Sequence, residues 1–513
     1  MSLGATGFRL AILRAVNAGL GLLLSISLAA IFGVSREVDA LFVAMAVAVF
    51  LARDLSRVIR TAAVPCLVES DEGHGQKDFA ESFQITVFVV AVAITVLAWV
   101  GAPLIVKLTS PGFDAAAAQN AQRLLRMLAP SLLFFLLFGS AQSVFHARRL
   151  FVVPELGETL WRVIAIVSLF TLGRWGGIET YAMGLTAAAF AQWLLLVVWG
   201  ARKGFRMLPT RWVPVHPQHL RPFWLGAIVV LCTVIQMQVE GILDRAMLSF
   251  MAPGSIALFS YADRLARMMP FLLSTSLLIP WLPEMVRIHA RISDPNRLAK
   301  QGALFLSGLG MLLAIVIAWA ARDIVTLFLL RGKFDAPSAE IVIVAVRIFA
   351  LSIPAIYCVQ CLAGLYIIRR DLKGMIGMGL LAVFAHAVGN LLLRHHGVPG
   401  IALSGSVSVW IVAGYLWRRI PTRERVWFAW GRFAIAMAAV LVVLFAIPWT
   451  TFLPWAPVRM VAGALCAWAA YTVIMGPAIQ RMQAYEREAT APAPVDADNT
   501  PCRPKNTQSL IPR

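Results

Sequence analysis

Hydrophobic runs of about 20 residues recur along the whole chain, separated by short polar segments. A run of this length crosses the hydrocarbon core of a bilayer as an α-helix, whereas a membrane β-barrel would show alternating segments of about ten residues. The pattern therefore predicts an all-α polytopic membrane protein with about fourteen crossings. They are expected at 10–32, 39–64, 83–107, 126–146, 156–173, 178–200, 222–250, 256–283, 302–321, 341–368, 374–393, 399–417, 431–449 and 457–478.

Composition supports this class and changes how the charge is interpreted. Of the 513 residues, 60% are hydrophobic and 14% charged, and the mean hydropathy is +0.78, which excludes a soluble globular chain. In a soluble protein the net charge of +19 would suggest nucleic acid. Here it is explained by basic loops that face the cytoplasm, so no nucleic-acid partner is expected. The first 30 residues lack a cleavage pattern, which favours a first crossing over a removed signal peptide.

Lysine and arginine are concentrated in the even-numbered loops, as in the segment from Arg202 to Arg221 after the sixth crossing. Odd-numbered loops carry fewer basic residues, and the turn at 252–255 carries none. Positive residues mark the cytoplasmic side, so both termini are predicted to be cytoplasmic. The acidic loop after the second crossing fits the rule poorly, although Asp and Glu contribute little to it.

An internal repeat divides the chain. Phe113 corresponds to Phe334 and Arg148 to Arg369, each within similar local sequence, at the same offset: 334 − 113 = 221 and 369 − 148 = 221. The matched segments keep their order and membrane sense, which predicts two parallel six-helix lobes with a site between them. The predicted domains are an N-lobe at 1–210, a C-lobe at 211–420, two extra transmembrane helices at 421–482 and a disordered cytoplasmic tail at 483–513.

Charged residues interrupt two crossings of the predicted C-lobe. They are Glu240, Asp244, Arg245, Asp263, Arg264 and Arg267. A charge at such depth costs roughly 2.5–3.5 kcal/mol on insertion scales, so it faces a partner or a wet cavity. One interpretation is a mid-membrane cavity that handles a charged substrate. The alternative is that Asp244/Arg245 and Asp263/Arg264 only pair with each other across the two helices.

Arg53, Arg57 and Arg60 are spaced i, i+4 and i+7, so they share one helical face. From Asp39 to Arg53 is 53 − 39 = 14 residues, or about 21 Å of helix, which places Arg53 well inside the membrane. Arg60 is expected nearest the cytoplasmic headgroups. Guanidinium groups on this face suit phosphate because they donate bidentate hydrogen bonds and stay charged. The alternative is an interfacial face that binds phospholipid.

Motifs for catalysis are absent from the sequence: it has no Walker loop, nucleophile elbow or HExxH. Cys358-x-x-Cys361 lies in an apolar helix without a second pair and is interpreted as core packing. Glu158 and Arg162 are interpreted as a simple i, i+4 pair, and His386 and Asn390 as helix–helix contacts. We therefore expect no enzyme activity, no cofactor and no metal.

Several short motifs together resemble the MurJ (MviN) lipid II flippases of the multidrug/oligosaccharidyl-lipid/polysaccharide exporter superfamily. They are Ile31-Phe32-Gly33, Asp39 to Ala44, Val64-Pro65, Pro111-Gly112-Phe113, Asp244-Arg245, Gly254-Ser255, Tyr261 to Leu265, Gly332-Lys333-Phe334 and the segment from Tyr366 to Lys373. The resemblance spans about 10–480. It implies a bacterial inner-membrane carrier that moves an undecaprenyl-pyrophosphate-linked peptidoglycan precursor outward through a cationic cavity. Membrane lipids are implied as partners, and contact with cell-wall or polysaccharide synthesis machinery is left open.

The chain departs from the family pattern in its first helix. The family has two arginines and an aspartate there, whereas this chain has Asn17, Ala18, Gly21, Leu24 and Ser25 at the matching positions. The arginine pair of the second crossing is also shifted, from Leu51 and Ala52 to Arg53, Arg57 and Arg60. A flippase for an exopolysaccharide or another lipid-linked oligosaccharide is therefore an alternative. A membrane-embedded enzyme of glycan assembly and a cation-coupled drug exporter are weaker alternatives, because paired extramembrane carboxylates and an acidic cavity are both missing.

The resemblance and the charge pattern together assign roles to the candidate residues. We expect substrate binding by Arg53, Arg57, Arg60, Arg264 and Arg267. Asp39, Glu240, Asp244, Arg245 and Asp263 are expected to act as charge partners or in coupling. In particular, Asp263 and Asp39 are expected to orient or neutralise the arginines when the cavity is empty.

Overall fold

A computed structural model describes most of the chain, and the described residues are almost entirely helical with no strand among them. The all-α membrane class predicted from the hydrophobic runs is confirmed. The structure describes residues 3–71, 76–205, 217–267, 295–369, 371–422 and 430–490. The predicted tail at 483–513 and the second half of the predicted eighth crossing fall largely outside them.

The helices follow one another with short connections. The first half contains α1 (Leu3–Phe32), α2 (Arg36–Met45), α3 (Ala52–Asp71), α4 (Gln76–Val100), α5 (Ala102–Thr109), α6 (Ala115–Ala147), α7 (Val152–Ser168) and α8 (Arg174–Arg202). The second half contains α9 (Pro217–Ser249), α10 (255–267), α11 (Pro295–Phe328), α12 (Ala336–Ala350), α13 (Ile353–Ile368), α14 (Leu372–Leu393) and α15 (Gly397–Arg419). The C-terminal helices are α16 (Trp430–Leu441), α17 (Trp449–Phe452) and α18 (Ala456–Thr490).

Nine helices in the described part of the chain are long and apolar enough to cross a membrane. Some of them exceed one crossing: the apolar stretch Val152–Arg202 has 51 residues, and Lys373–Arg419 has 47. A single crossing needs about 20 residues, so each of these stretches accommodates two. The glycine Gly177, with φ 78°, breaks the first of them. Nine long stretches are thus compatible with the fourteen predicted crossings, whose exact number stays a prediction.

A short segment of π-helix, Ala46–Leu51, joins α2 to α3 within the predicted second crossing. A π-helical turn contains more residues than an α-helical turn, so it changes the direction in which the following side chains point. Such segments are frequent at functional sites. The segment ends two residues before Arg53, so it sets the face on which the arginines of α3 lie.

The two turns that suggested the repeat cap helices in the same way. The carboxylate of Asp114 accepts a hydrogen bond from the N–H of Ala117 at 2.8 Å, at the start of α6. The carboxylate of Asp335 accepts one from the N–H of Ser338 at 3.2 Å, at the start of α12. The two caps are separated by 335 − 114 = 221 residues. The equivalent caps agree with the repeat, while the predicted domain boundaries remain predictions.

The largest apolar core contains residues from both halves, from Leu24 in α1 to Leu416 in α15. A separate cluster joins α16 and α18 to α11 through residues such as Val440, Tyr471 and Leu312. The partly buried pair of Arg459 and Asp323 also fixes α18 to α11, with 2.9 Å between Nε and Oδ2. The C-terminal helices therefore pack against the second half of the chain, on α11.

Candidate functional site

The arginine face of α3 meets partners from distant helices. Arg53 forms an ion pair with Glu158 of α7 and lies over the rings of Trp161 and Phe135, with 4.8 and 5.9 Å from Cζ to the centroids. Its side chain is only 25% exposed. The ion pair and the aromatic rings offset part of the cost of burying the guanidinium.

Glu158 is shared between two arginines. Arg162, one turn further along α7, donates from Nη1 to Glu158 Oε2 at 3.1 Å, while Arg53 approaches the same oxygen from α3. The pair Glu158/Arg162 is thus an i, i+4 pair as the spacing suggested. It is also one side of a three-residue anion site that spacing alone could not reveal, because Arg53 lies 105 residues away.

Arg57 and Arg60 differ in exposure. Arg57 pairs with Asp54 at 3.1 Å and its side chain is 55% exposed, whereas Arg60 is partly buried and donates to Gln142 Oε1 at 2.9 Å. The expected position of Arg60 nearest the headgroups stays a prediction, and the structure shows that Arg60 is the less exposed of the two side chains. Gln142 of α6 supplies a buried acceptor that holds Arg60 inside, and Arg57 is the more solvated side chain.

These residues belong to one group of charges, which we call the N-lobe cluster. It contains Arg14, Arg53, Arg57, Arg60 and Arg162 together with Asp54, Glu155 and Glu158. Glu155 accepts from Arg14 at 3.3 Å and from Asn17 of α1 at 3.5 Å. Five arginines face three carboxylates, so the cluster has an excess of two positive charges.

Arg264 projects from α10 into the first half of the chain. Its Nη1 donates to Ser25 Oγ of α1 at 2.9 Å, and its Cζ lies 5.4 and 5.1 Å from the ring centroids of Phe42 and Phe50. No carboxylate among the described residues forms an ion pair with it. Arg53 is near enough for the two like charges to interact unfavourably. Among the residues that the structure describes, Arg264 therefore adds a cation without an ion-pair partner beside the N-lobe cluster.

The acids of α9 and α10 form a second group. We call it the C-lobe cluster; it contains Glu240, Asp244, Arg245, Asp263, Arg267 and His386. Asp263 and Arg267 pair within α10, and Glu240 accepts from Gln236 at 3.2 Å within α9. No ion pair among the described residues joins Asp244 or Arg245 to Asp263 or Arg264, so the alternative of mutual pairing between these residues is not observed.

Asp244 is buried at the junction of three helices. Its Oδ1 lies 2.6 Å from Nε2 of His386 and accepts from Asn390 at 3.0 Å, both from α14. His386 Nδ1 lies 3.3 Å from the hydroxyl of Ser408 in α15. Arg245 is close to Gly241, and its Nε has no hydrogen-bond partner within the described residues. Asp244 thus holds α9 against α14 and α15.

Asp39 begins the second crossing, at the end of the molecule that is predicted to face outward, here called the outer end; in the described part of the chain it forms no ion pair with the arginines of α3. Its carboxylate is fully buried and accepts from the N–H groups of Gly254 and Ala257 at 2.7 and 2.8 Å, at the start of α10. An aspartate at this position satisfies free backbone donors and matches the positive end of the helix dipole. Nη1 of Arg36 lies 3.9 Å from Oδ2 of Asp39. Asp39 therefore connects the two halves through a helix cap.

Glycines allow the halves to touch at the same end. The N–H of Lys333 donates to the carbonyl of Ala30 at 2.9 Å, and a Cβ on Gly332 would lie 2.2 Å from that oxygen. Gly332 has φ 62°, a region that favours glycine. Arg36 adds hydrogen bonds from Nη1 and Nη2 to the carbonyls of Ser249 and Met251. These contacts join the two halves of the chain beside Asp39.

Sequence reasoning selected the arginines but missed several of their partners. Ser25 and Asn17 were noted only as replacements for charged family residues, yet they contact Arg264 and Glu155. Gln142 carried no signal beyond being a polar residue in an apolar run. Within the described residues, no group of three or more His, Cys, Asp or Glu side chains could hold a metal ion.

Comparison with known proteins identifies relatives along most of the chain. The family model "Lipid II flippase MurJ" matches residues 28–463. The probable lipid II flippase MurJ of Haemophilus influenzae is 24% identical over 429 residues, covering 79% of this chain and 84% of that protein. The lipid II flippase MurJ of Burkholderia cenocepacia is 23% identical over 434 residues, covering 80% and 83%.

Solved structures show the same fold. A lipid II flippase MurJ in an inward closed conformation matches with a TM-score of 0.77 and 19% identity, covering 91% of this chain and 99% of that one. An inward-facing multidrug resistance MATE family transporter of the MOP superfamily matches with a TM-score of 0.62 and 13% identity, covering 80% and 97%. These likenesses establish the fold of the chain.

Proposed function

Because this chain belongs to the lipid II flippase MurJ family, we propose that it moves lipid II from the cytoplasmic to the outer leaflet of the bacterial inner membrane. The observation that carries the proposal is the family match over 28–463. The chain acts by alternating access, with both termini in the cytoplasm and no chemical change in the substrate. The charge excess of the N-lobe cluster supports this assignment because the substrate carries a pyrophosphate.

Glu158 marks the place of a pyrophosphate oxygen. Two guanidinium groups converge on its carboxylate, and the same arrangement suits a phosphate, which accepts paired hydrogen bonds from arginine. When the substrate enters, its pyrophosphate displaces Glu158 from Arg53 and Arg162. The internal carboxylate keeps two buried cations paired while the site is empty, which avoids the cost of unpaired buried charge.

Arg264 completes the site from the other half. Its hydrogen bond to the neutral Ser25 leaves its charge available, and its position on α10 lets it approach a pyrophosphate held by Arg53. A pyrophosphate bound by both halves makes contacts that neither half supplies alone. Binding therefore favours a rearrangement of α10 relative to α1 and α3, as population shift by differential contacts requires.

Outward release requires the outer contacts to separate. In the closed form Asp39 caps α10, and Gly332 lies against Ala30. A ligand shifts the balance between the closed and open forms only by its different affinity for the two forms. Asp39 and Gly332 thus stabilise the closed outer end, and substrate contacts at Arg264 oppose that closure.

A growth assay tests the substrate. The full chain is expressed in a bacterial strain depleted of its own lipid II flippase, with an Arg53→Ala/Arg162→Ala double variant at matched protein level. We expect growth with the natural sequence and none with the double variant. A second strain, lacking a flippase for exopolysaccharide repeat units, tests the alternative. Rescue of that strain alone would contradict the assignment to lipid II.

A substitution at Gly332 tests alternating access. Gly332→Ala places a Cβ against the backbone of Ala30, so it should open the outer end. Gly397→Ala is a matched control, because Gly397 has φ 64° and nothing within 4 Å of an added Cβ. The distance between spin labels at Pro111 and Arg331 should lengthen in the first variant alone. Equal distances in both variants would contradict the role of this contact.

A further inference from the structure

A basic cavity lies at the end of the C-terminal half that is predicted to face the cytoplasm. The ends of α13 and α15 and the start of α14 enclose a cavity of about 400 Å³, lined by residues that include Tyr366, Arg369, Lys373 and Arg419. None of the arginines proposed to bind substrate lines it. The cavity is therefore separate from the site between the two halves.

A second cavity adjoins the first along the exposed surface of α14 and α15. It has about 480 Å³ and is lined by the apolar side chains of Leu381 and Ile411, together with Gly414, Tyr415, Arg418 and Arg419. Arg419 lines both cavities, and its Cζ lies 5.7 Å from the ring centroid of Tyr415. Gly414 contributes no side chain, and a Cβ there would have nothing within 4 Å. The result is an apolar furrow that leads along the helices to a basic end.

The charge of this region is not balanced by the described residues. Arg369, Lys373, Arg418 and Arg419 form no ion pair among them. The acid in the cavity, Asp371, accepts the N–H of Gly374 at 2.9 Å and is thereby engaged in capping α14. Four cations around one engaged carboxylate leave an excess of positive charge. The positive-inside rule explains basic loops, but it does not by itself produce a cavity continuous with an apolar furrow.

We propose that these two cavities bind one anionic phospholipid, with its phosphate among Arg369, Lys373, Arg418 and Arg419 and an acyl chain along the furrow beside Ile411. Guanidinium and ammonium groups match the phosphodiester, and tyrosines such as Tyr366 and Tyr415 are suited to the interface. Basic pockets between transmembrane helices on the cytoplasmic side bind anionic headgroups in general. The ligand is a lipid rather than a soluble anion because the furrow offers apolar surface.

The test is native mass spectrometry of the purified full chain in mixed micelles. Phosphatidylglycerol is the anionic probe, phosphatidylethanolamine the zwitterionic probe, and inorganic pyrophosphate the soluble anion. The variant is Arg418→Gln/Arg419→Gln. The matched control is Arg202→Gln/Lys203→Gln, which removes the same charge from the exposed end of α8, outside both cavities. Arg418→Lys/Arg419→Lys restores the charge.

We expect one retained phosphatidylglycerol in the natural sequence, the control and the lysine variant. The glutamine variant should bind it about tenfold or more weakly, since each basic residue near a membrane surface contributes favourably. Elution volume and helix content verify that the variant remains folded, which is expected because both arginines are exposed.

Three results would overturn the proposal. Equal retention of phosphatidylglycerol by the glutamine variant would show that this cavity is not the site. Equal retention of phosphatidylethanolamine would show that the net negative charge of the headgroup is not recognised. Binding of pyrophosphate without binding of phosphatidylglycerol would assign the cavity to a soluble anion. None of these outcomes depends on transport activity, so the proposed flippase function is tested separately.

Discussion

The N-lobe cluster contains more cations than acids, whereas the C-lobe cluster contains more acids than arginines. Five arginines face Asp54, Glu155 and Glu158 in the first, while Arg245 and Arg267 face three acids in the second. The clusters also differ in their contacts. The N-lobe cluster pairs side chains across α3 and α7, and the second uses a buried acid, Asp244, to join helices through neutral or titratable groups.

This difference indicates different tasks within one pseudo-symmetric fold. Excess positive charge in a site of low dielectric attracts an anion, which suits a pyrophosphate. A buried acid with His386 and Asn390 around it suits helix association, because polar contacts between membrane helices stabilise packing. Arg264 belongs to α10 of the second half, but its guanidinium contacts side chains of the first half. It therefore links the two regions.

The largest expected effect is at Arg264, whose loss would leave the anion site without its contribution from the second half. Arg264→Ala should reduce transport by about 100-fold or more, as loss of a single preorganised donor does in enzyme sites. Arg264→Lys should restore only part of it, because an ammonium lacks the fork. A flipping assay at matched protein level measures this, with Arg322→Ala, at an exposed pair, as control. Normal transport by Arg264→Ala would contradict the proposed role of Arg264 in joining the two halves at the anion site.

The next largest effect concerns the C-lobe cluster and its stability. Asp244→Ala leaves His386 and Asn390 without their shared acceptor, and breaking a buried network of this kind costs about 3 kcal/mol or more. Asp263→Ala breaks a partly exposed pair within one helix and should cost less than about 1 kcal/mol. Apparent melting temperatures in detergent compare the two variants. If Asp244→Ala melted normally but no longer bound substrate, the division of tasks would be wrong.

The smallest effect separates two members of the arginine face. Arg57→Ala should change transport by less than about twofold, because exposed pairs contribute little. Arg60→Ala should have a larger effect, since it leaves the buried amide of Gln142 without its donor. Initial rates in the flipping assay, with protein amounts matched, rank the two. The reverse order would show that exposure on this face does not determine the contribution.

Much of the fold could be predicted from the sequence because the bilayer imposes length and hydropathy on every crossing. Helical class and the repeated caps at Asp114 and Asp335 follow from local sequence. The spacing of Arg53, Arg57 and Arg60 likewise defines one face. Their partners could not be predicted in this way. Glu158 and Gln142 come from helices 105 and 82 residues away, and periodicity carries no information on which helices become neighbours.

The position of Asp39 illustrates the same limit. Its position near the start of a crossing is readable from the sequence, and its expected role in orienting arginines stays a prediction. The structure brings the start of α10 to it, 215 residues further along the chain. A carboxylate next to free backbone donors has a favourable use that requires no arginine. Only the packing of the two halves reveals that use.

The central claim is that a pyrophosphate replaces the Glu158 carboxylate between Arg53 and Arg162. The most direct measurement is the affinity of a short-chain polyprenyl pyrophosphate for Glu158→Gln and Arg162→Gln, compared with the natural sequence. Removing the competing charge should tighten binding by about tenfold, and removing an arginine should weaken it by about tenfold or more, as for close charge pairs at interfaces. If Glu158→Gln weakened binding as much as Arg162→Gln, Glu158 would be an orienting residue and the claim would be contradicted.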